Sequence, residues 1–191
     1  MRMPIIVSLA ALLVSGCSDE IVQRPGPATL TSAANGHYCQ MTVVDHPGPK
    51  AQVHLANHAE PLWFTQVRDA FAFQRSPEEY GDVTAVYVSD MGTAQSWEKP
   101  GLENWIEVET AYFVTGSTRR GGMGAPELVP FTSADAATKF VSHHGGSVIR
   151  IDDIDDAMVL GPVDVDPGMP ADTAPHSGHG EHGAHGPAGG S

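Results

Sequence analysis

The residues with the clearest chemical potential are two sulfur-bearing side chains in the tetrapeptide Tyr-Cys-Gln-Met at residues 38–41. Side chains alternate between the two faces of an extended strand, so a strand here would project Cys39 and Met41 from one face. A thiolate and a thioether are soft ligands, and soft ligands select Cu(I) over harder ions. The tetrapeptide therefore predicts a Cu(I) site, and the alternative is that Cys39 is a small buried apolar residue.

The other cysteine, Cys17, belongs to an N-terminal targeting segment. Arg2 is followed by an apolar run that is too short to cross a bilayer as a stable helix, which predicts a signal peptide over residues 1–16. The sequence Val-Ser-Gly-Cys at residues 14–17 resembles the bacterial lipobox, whose cysteine is acylated and becomes the new N-terminus. The alternative is an ordinary signal peptide with an unrelated cysteine. Lipidation would leave Cys39 as a lone thiol in an oxidising compartment.

The acidic charge of the chain limits its partners. Ten Lys and Arg residues stand against 23 Asp and Glu residues, so the formal net charge is −13. Removing residues 1–16 takes away Arg2 and no acid, which changes the charge to −14. Nucleic acid and anionic lipid bind basic surfaces, so the charge argues against both as partners of the protein surface.

Composition divides the chain into a foldable part and two polar ends. Residues 17–34 are polar and contain Pro and Gly, and they are predicted to form a lipidated tether. Residues 161–191 have almost no large apolar side chain and are predicted to form a disordered His-rich tail. We expect a first folded unit over residues 35–95 and a second over residues 96–160.

A faint internal repeat predicts the architecture of the foldable part. A Phe-Thr pair, followed at equal intervals by an alanine and a phenylalanine, occurs at Thr65 and again at Thr132. In both copies the threonine is expected to cap a helix. The strands expected around the first helix are residues 38–44, 51–55 and 83–88, and those around the second are residues 105–108 or 111–115, 127–129 and 147–151. The sequence thus predicts an α+β fold of two repeated strand–strand–helix–strand units packed together, with chance similarity as the alternative.

Further metal ligands are expected from methionines near glycines and from a histidine beside the cysteine. Met123 lies in Gly-Gly-Met-Gly at residues 121–124, where glycines permit unusual backbone angles and close approach to another group. Met91, which precedes a glycine, and His37, two residues before Cys39, are further candidates. For each methionine the alternative is that the side chain fills a gap in packing.

The predicted tail carries histidines at every third position. They are His176, His179, His182 and His185. Such a tract binds borderline divalent ions, including Cu(II) and Zn(II), without a fixed geometry to select among them. The tail is therefore a candidate metal buffer, and the alternative is that its histidines are incidental.

Five segments together resemble the NosL family of lipoproteins. They are the lipobox, Tyr-Cys-Gln-Met at 38–41, Glu-Pro-Leu-Trp-Phe at 60–64, Val-Ser-Asp-Met-Gly at 88–92 and Gly-Gly-Met-Gly-Ala-Pro-Glu at 121–127. Each motif alone is weak, but their order and joint presence are specific. The resemblance extends from about residue 12 to residue 155, so the His-rich tail lies outside it.

The resemblance implies a function, a location and a set of partners. NosL proteins are periplasmic lipoproteins of denitrifying bacteria that carry Cu(I) to the apparatus that matures nitrous oxide reductase. It implies copper ligands at Cys39 and Met41, with a later ligand at Met123. The chain is then expected to bind and deliver copper rather than act as an enzyme, to be anchored to a membrane through Cys17, and to have nitrous oxide reductase and its membrane maturation apparatus as partners. The implied fold also resembles a unit of organomercurial lyases.

Two other functions stay open from the sequence. A thiol enzyme related to organomercurial lyases would use Cys39, activated by a histidine such as His37, although no orienting partner is recognisable. A general envelope metal buffer would use the His-rich tail.

Overall fold

The computed structural model describes residues 24–76 and 81–163. The predictions made for residues 1–16, for Cys17 and for His176, His179, His182 and His185 fall outside the described residues. Within the two described ranges, no helix combines the length and apolar character needed to cross a bilayer.

Two antiparallel sheets and a few helices form the framework. The elements are β1 Ala51–Leu55, β2 Leu62–Phe64, α1 Val67–Gln74, β3 Val83–Ser89, β4 Trp105–Glu107, β5 Tyr112–Thr115, β6 Val129–Phe131, α2 Ala134–His144, β7 Ser147–Ile149 and α3 Asp156–Leu160, with short 3-10 helices at Val43–Asp45 and Ile151–Asp153. The first sheet has the strand order β2-β1-β3-β4 and the second has the order β6-β5-β7. The prediction of a mixed fold of helices and strands is confirmed.

The two sheets have the same connectivity. β1 pairs antiparallel with both β2 and β3, and β5 pairs antiparallel with both β6 and β7. Helix α1 follows β2, and helix α2 follows β6. In each case the phenylalanine of a Phe-Thr pair ends the strand and the threonine follows it. β4 pairs with β3 and extends the first sheet, so the second sheet begins at β5. The duplication and the unit boundaries stay predictions.

The strand predicted over residues 38–44 is wrong, because the chain closes into a loop there. The N–H of Gly36 donates to the carbonyl of Met41, and the N–H of Gln40 donates to the carbonyl of Gly36, both at 2.8 Å. Gln40 has a φ of 57°, a left-handed conformation that is foreign to a strand. We call residues 36–41 the thiol loop. The two strands that precede α1 are instead β1 and β2.

The predicted threonine caps are also wrong, by one residue in each copy. The N-cap of α1 is Gln66, whose side chain makes no capping bond, and the N-cap of α2 is Ser133. The hydroxyl of Ser133 accepts the N–H of Ala136 at 3.2 Å. Helix α1 therefore depends on a capping group from elsewhere in the chain.

Two buried carboxylates supply such groups and link the two sheets. Glu127, just before β6, accepts the N–H groups of Val67 and Arg68 at the start of α1, at 3.3 and 3.0 Å. Asp90, just after β3, accepts the N–H and the hydroxyl of Thr132 before α2, at 3.1 and 2.8 Å. A carboxyl oxygen at a helix start satisfies free N–H groups, and an ionised carboxyl group also complements the helix dipole. Each half of the chain thus supplies a carboxylate to the helix entry of the other half.

The largest apolar cluster also contains residues of both sheets. Phe71 of α1 meets the edge of the Phe113 ring of β5, with centroids 5.6 Å apart, and both side chains are buried. Val53 of β1, Val88 of β3 and Leu128 belong to the same cluster. Burial of apolar surface is the main stabilising contribution to a domain of this size, so this cluster helps to hold the two sheets together.

Candidate metal site

The thiol loop positions Cys39 against the end of β2. The N–H of His37 donates to the carbonyl of Trp63 at 2.7 Å, which fastens the loop to the strand. Cys39 is a free cysteine, partly buried, with its Sγ 3.9 Å from the hydroxyl oxygen of Thr65. A Cβ added to Gly36 would lie 2.5 Å from this Sγ, so only glycine leaves room for the sulfur. The thiol is therefore held in one place by local packing.

Met41 leaves the thiol loop and enters a surface groove. Its side chain is 42% exposed. The groove has a volume of about 890 Å³, and its lining includes Met41, His46, Trp97 and three glycines of residues 121–124. We call it the methionine groove. Its size and exposure leave one thioether accessible to an ion or to another protein.

Residues 121–125, which we call the glycine loop, are held by the side chain of Gln66. Its Oε1 accepts the N–H groups of Met123 and Ala125 at 3.1 and 3.4 Å. A Cβ added to Gly122 would lie 2.8 Å from the carbonyl oxygen of Thr65, so the loop approaches the backbone more closely than other residues allow. The backbone of Met123 is thus anchored, while its side chain is 42% exposed.

Thr65 lies between the thiol loop and the glycine loop. Its hydroxyl faces the Sγ of Cys39, and its carbonyl faces Gly122. Thr65 thus contacts both loops, and Met41 and the glycine loop that carries Met123 both border the methionine groove. Met41 and Met123 flank this place as exposed thioethers, and Cys39 lies beside it as a partly buried thiol. That these three side chains bind a metal stays a prediction at this point.

The other two predicted ligands in the described residues pack against apolar or aromatic side chains. The ring of His37 packs against Phe64 and Phe73, with centroids 5.7 and 5.3 Å apart. Met91 packs against the smaller apolar cluster of the second sheet and lines a separate cavity of about 240 Å³ that also includes His144. Met91 therefore lies at a separate cavity, whereas His37 stays in the thiol loop that carries Cys39.

His46 and Gln66 are site residues that the sequence did not reveal. His46 lines the methionine groove, and its Nδ1 lies 3.2 Å from the carbonyl oxygen of Gly122. It lies beside Pro47, in a type of sequence that is typical of a turn rather than of a binding site. Gln66 bonds to residues 57 and 59 positions later in the chain, a relation that no local pattern encodes.

Two buried ionisable groups, Glu127 and Lys50, contact loops that line the methionine groove. Burial raises the pKa of Glu127 to about 8, opposed by backbone N–H donors such as that of Arg68 and by the charge of Lys50. Burial likewise lowers the pKa of Lys50 to about 8, opposed by the charge of Glu127. The Nζ of Lys50 donates to the carbonyls of Pro47 and Gly48 at 2.9 and 2.7 Å. These bonds fix the turn that carries one wall of the methionine groove.

Comparison with known proteins shows a consistent set of relatives. The NosL family model matches residues 27–159. The copper-binding lipoprotein NosL of Achromobacter cycloclastes is 46% identical over 187 residues, which cover 97% of this chain and 96% of the relative. The copper-binding lipoprotein NosL of Stutzerimonas stutzeri is 30% identical over 174 residues, 90% of each chain. The crystal structure of the copper chaperone NosL from Shewanella denitrificans has a TM-score of 0.64 and 32% identity, covering 71% of this chain and 98% of that chain.

Proposed function

Because the chain belongs to the NosL family, we propose that it is a Cu(I)-binding lipoprotein that delivers copper for assembly of the copper centres of nitrous oxide reductase. The observation that carries the proposal is that Met41 and the glycine loop of Met123 line one groove, while Cys39 lies in the same short loop as Met41 and contacts Thr65. The names of the relatives as copper-binding proteins support the choice of metal. The proposed role is binding and transfer rather than catalysis.

The donor set fits monovalent copper. Cys39 supplies a thiolate whose charge neutralises Cu(I), and Met41 and Met123 supply neutral thioethers that add preference for a soft ion. Among the described residues, no group of three or more His, Cys, Asp and Glu side chains is arranged to hold a metal ion, so the methionines are needed to complete a site. Because the thiolate must form, Cu(I) binding releases a proton and weakens as the pH falls.

The same geometry supports transfer. Met41 and Met123 are each 42% exposed, so an incoming ligand from an acceptor can replace a thioether without unfolding the protein. We further propose that acylation of Cys17 anchors the protein to a membrane of the periplasm. The anchored protein would then contact the maturation apparatus of nitrous oxide reductase at the membrane surface.

Met123→Leu is expected to lower the affinity for Cu(I) by about tenfold, or about 1.4 kcal/mol. Leucine keeps the volume of the side chain but removes the sulfur ligand. The affinity is measured by competition with a Cu(I) chelator in a reduced sample. Met91→Leu is the matched control, because it removes a thioether that packs against the smaller apolar cluster of the second sheet. Equal losses in the two variants would assign Met123 to packing.

Gly36→Ala is expected to weaken Cu(I) binding while the fold is retained. The added Cβ would lie 2.5 Å from the Sγ of Cys39, so the thiol has to rotate away from its place. We expect a loss of about tenfold in the same chelator competition. Gly26→Ala is the control, because a Cβ at Gly26 meets nothing within 4 Å. If both variants bind Cu(I) alike, the position of the sulfur is not important for the site.

Truncation after Val163 tests the His-rich tail as a second, separate metal site. We expect the truncated chain to keep its Cu(I) affinity, because the three sulfur residues lie in the part that remains. Binding of Cu(II) and Zn(II), measured by calorimetric titration, is expected to decrease because imidazoles are removed. Loss of Cu(I) affinity on truncation would instead favour the envelope metal buffer.

A further inference from the structure

Two neighbouring arginines at the methionine groove lack the partners that other arginines have. Arg119 and Arg120 directly precede the glycine loop, and both line the groove. Elsewhere in the described part of the chain, the guanidinium groups bind carboxylate or carbonyl oxygens, as in Arg24, Arg68, Arg75 and Arg150. Within that same part, neither Arg119 nor Arg120 forms an ion pair or a side-chain hydrogen bond.

The guanidinium of Arg119 is held in position although no hydrogen-bond acceptor of the described residues binds it. Its guanidinium lies over the ring of Trp97, 5.1 Å from the centroid, and this contact fixes the plane of the group. Its Nε is buried and has no hydrogen-bond partner among the described residues. Buried donors are almost always paired in native structures. The residue as a whole is partly exposed and lines the groove, so its terminal N–H groups are available to a ligand that supplies an acceptor.

The electrostatic setting favours an anionic ligand beside the two arginines. The formal net charge of the chain is −13, so most of its surface repels anions. Asp45 also lines the groove, and the exposed Glu98 lies within the electrostatic reach of Arg119. In the described ranges, neither carboxylate forms an ion pair with the two arginines. The guanidinium groups thus stay available to a ligand from outside.

The rim of the site is apolar and exposed. Met41 lines the groove, Met123 belongs to the adjoining glycine loop, and each is 42% exposed. Exposed apolar side chains that cluster beside polar groups are typical of surfaces that bind other proteins. The combination of an apolar rim and a pair of arginines fits a protein surface better than a small ion.

We propose that the methionine groove is the docking site for the protein that accepts the copper, and that Arg119 and Arg120 bind a carboxylate of that protein. The identity of the partner as the copper acceptor rests on the proposed function. The planar fork of arginine binds a carboxylate through two parallel hydrogen bonds, which fixes orientation as well as distance. An Asp or Glu of the acceptor, placed near its own copper ligands, would therefore be aligned beside Met41. Repulsion from the rest of the acidic surface disfavours other orientations.

The test follows the side-chain Nε–H signal of Arg119 by NMR in the full chain, labelled with ¹⁵N and free of copper. The probes are an N-acetylated tetraglutamate amide, sodium sulfate, and sodium chloride at matched ionic strength. We expect the signal to shift and saturate with tetraglutamate, and Arg119→Gln and Arg120→Gln each to weaken this binding by about tenfold. Arg24→Gln is the control, because it removes the same charge from an exposed ion pair with Glu109.

Three outcomes would overturn the proposal. The first is a tetraglutamate shift no larger than that with sodium chloride, and the second is undiminished peptide binding in the variant that carries both substitutions. Tighter binding of sulfate than of the peptide would assign the arginines to a free oxyanion instead of a protein carboxylate. Because the titration needs no copper, its result does not depend on whether Cys39 binds the metal.

Discussion

Cys39→Ser is expected to abolish tight Cu(I) binding, with a loss in affinity of about a thousandfold or more, equivalent to about 4 kcal/mol. The substitution replaces the one anionic sulfur ligand with a neutral hydroxyl, which is a hard donor that Cu(I) does not favour. Met41 and Met123 remain, but two thioethers do not neutralise the charge of the ion. The affinity is measured by chelator competition, and X-ray absorption of the copper-loaded wild-type chain counts the sulfur neighbours directly.

The fold is expected to survive this change, which makes the result interpretable. The nearest polar contact of the Cys39 sulfur is the hydroxyl of Thr65 at 3.9 Å, a weak interaction whose loss costs little. Cys17→Ser is the matched control, because it removes the other cysteine of the chain and leaves the thiol loop intact. Unchanged Cu(I) affinity in Cys39→Ser, or a spectrum with only oxygen and imidazole neighbours, would reject the sulfur site.

The elements with strong local signals could be predicted from the sequence. Residues 51–55 and 83–88 were expected as strands and are observed as Ala51–Leu55 and Val83–Ser89. Both are rich in β-branched or apolar residues, and turn residues separate them from their neighbours. Their bounds follow from local composition, so no knowledge of the tertiary structure was needed.

The thiol loop could not be predicted, because its shape depends on contacts outside the segment. The alternation of residues 38–44 is compatible with a strand, but the N–H of His37 bonds to Trp63 and the chain turns back through the left-handed Gln40. Strand β2 was not predicted, because its sequence carries too little local signal. Its three residues, Leu62–Phe64, are too few for a periodic signal and are defined by pairing with β1.

The candidate site likewise contains residues that the sequence indicates and residues whose role only the tertiary structure shows. Cys39, Met41 and Met123 could be singled out because sulfur chemistry is visible in residue types. The residues that position them were not visible, because their roles join distant parts of the chain. Glu127 acts on α1 across 59 and 60 residues, and Gln66 holds the glycine loop across 57 residues or more. Ligand identity is thus a local property of this chain, while ligand placement is a tertiary one.

Glu127→Ala is expected to lower the free energy of unfolding by about 3 kcal/mol. The substitution leaves the N–H groups of Val67, Arg68 and Leu128 buried without their acceptor, and each unsatisfied buried donor costs about 1–3 kcal/mol. Removal of a buried ionisable group offsets part of this cost. The measurement is urea denaturation at neutral pH. Glu60→Ala is the control, because Glu60 is exposed and surface substitutions usually change stability by less than about 0.5 kcal/mol.

The pH dependence of stability gives an independent measure of the same carboxyl group. Burial raises the pKa of Glu127 from 4.5 in the unfolded chain to about 8 in the folded protein. Between these values the folded state binds more protons, so this group contributes stability below pH 4.5 that is lost as the pH rises towards 8. Glu127→Gln cannot ionise, so the difference in unfolding free energy between wild type and this variant is expected to change across that window.

Stability and copper affinity are expected to fall together in Glu127→Ala, because one side chain supports both α1 and the glycine loop. A Cβ on Gly121 would lie 2.5 Å from the Oε2 of Glu127, so the carboxylate packs directly under the loop that carries Met123. Its removal opens a cavity there and loosens the thioether. We expect a Cu(I) affinity about tenfold weaker under conditions in which the variant is still folded. A folded Glu127→Ala variant with wild-type affinity would show that the glycine loop is positioned by Gln66 alone.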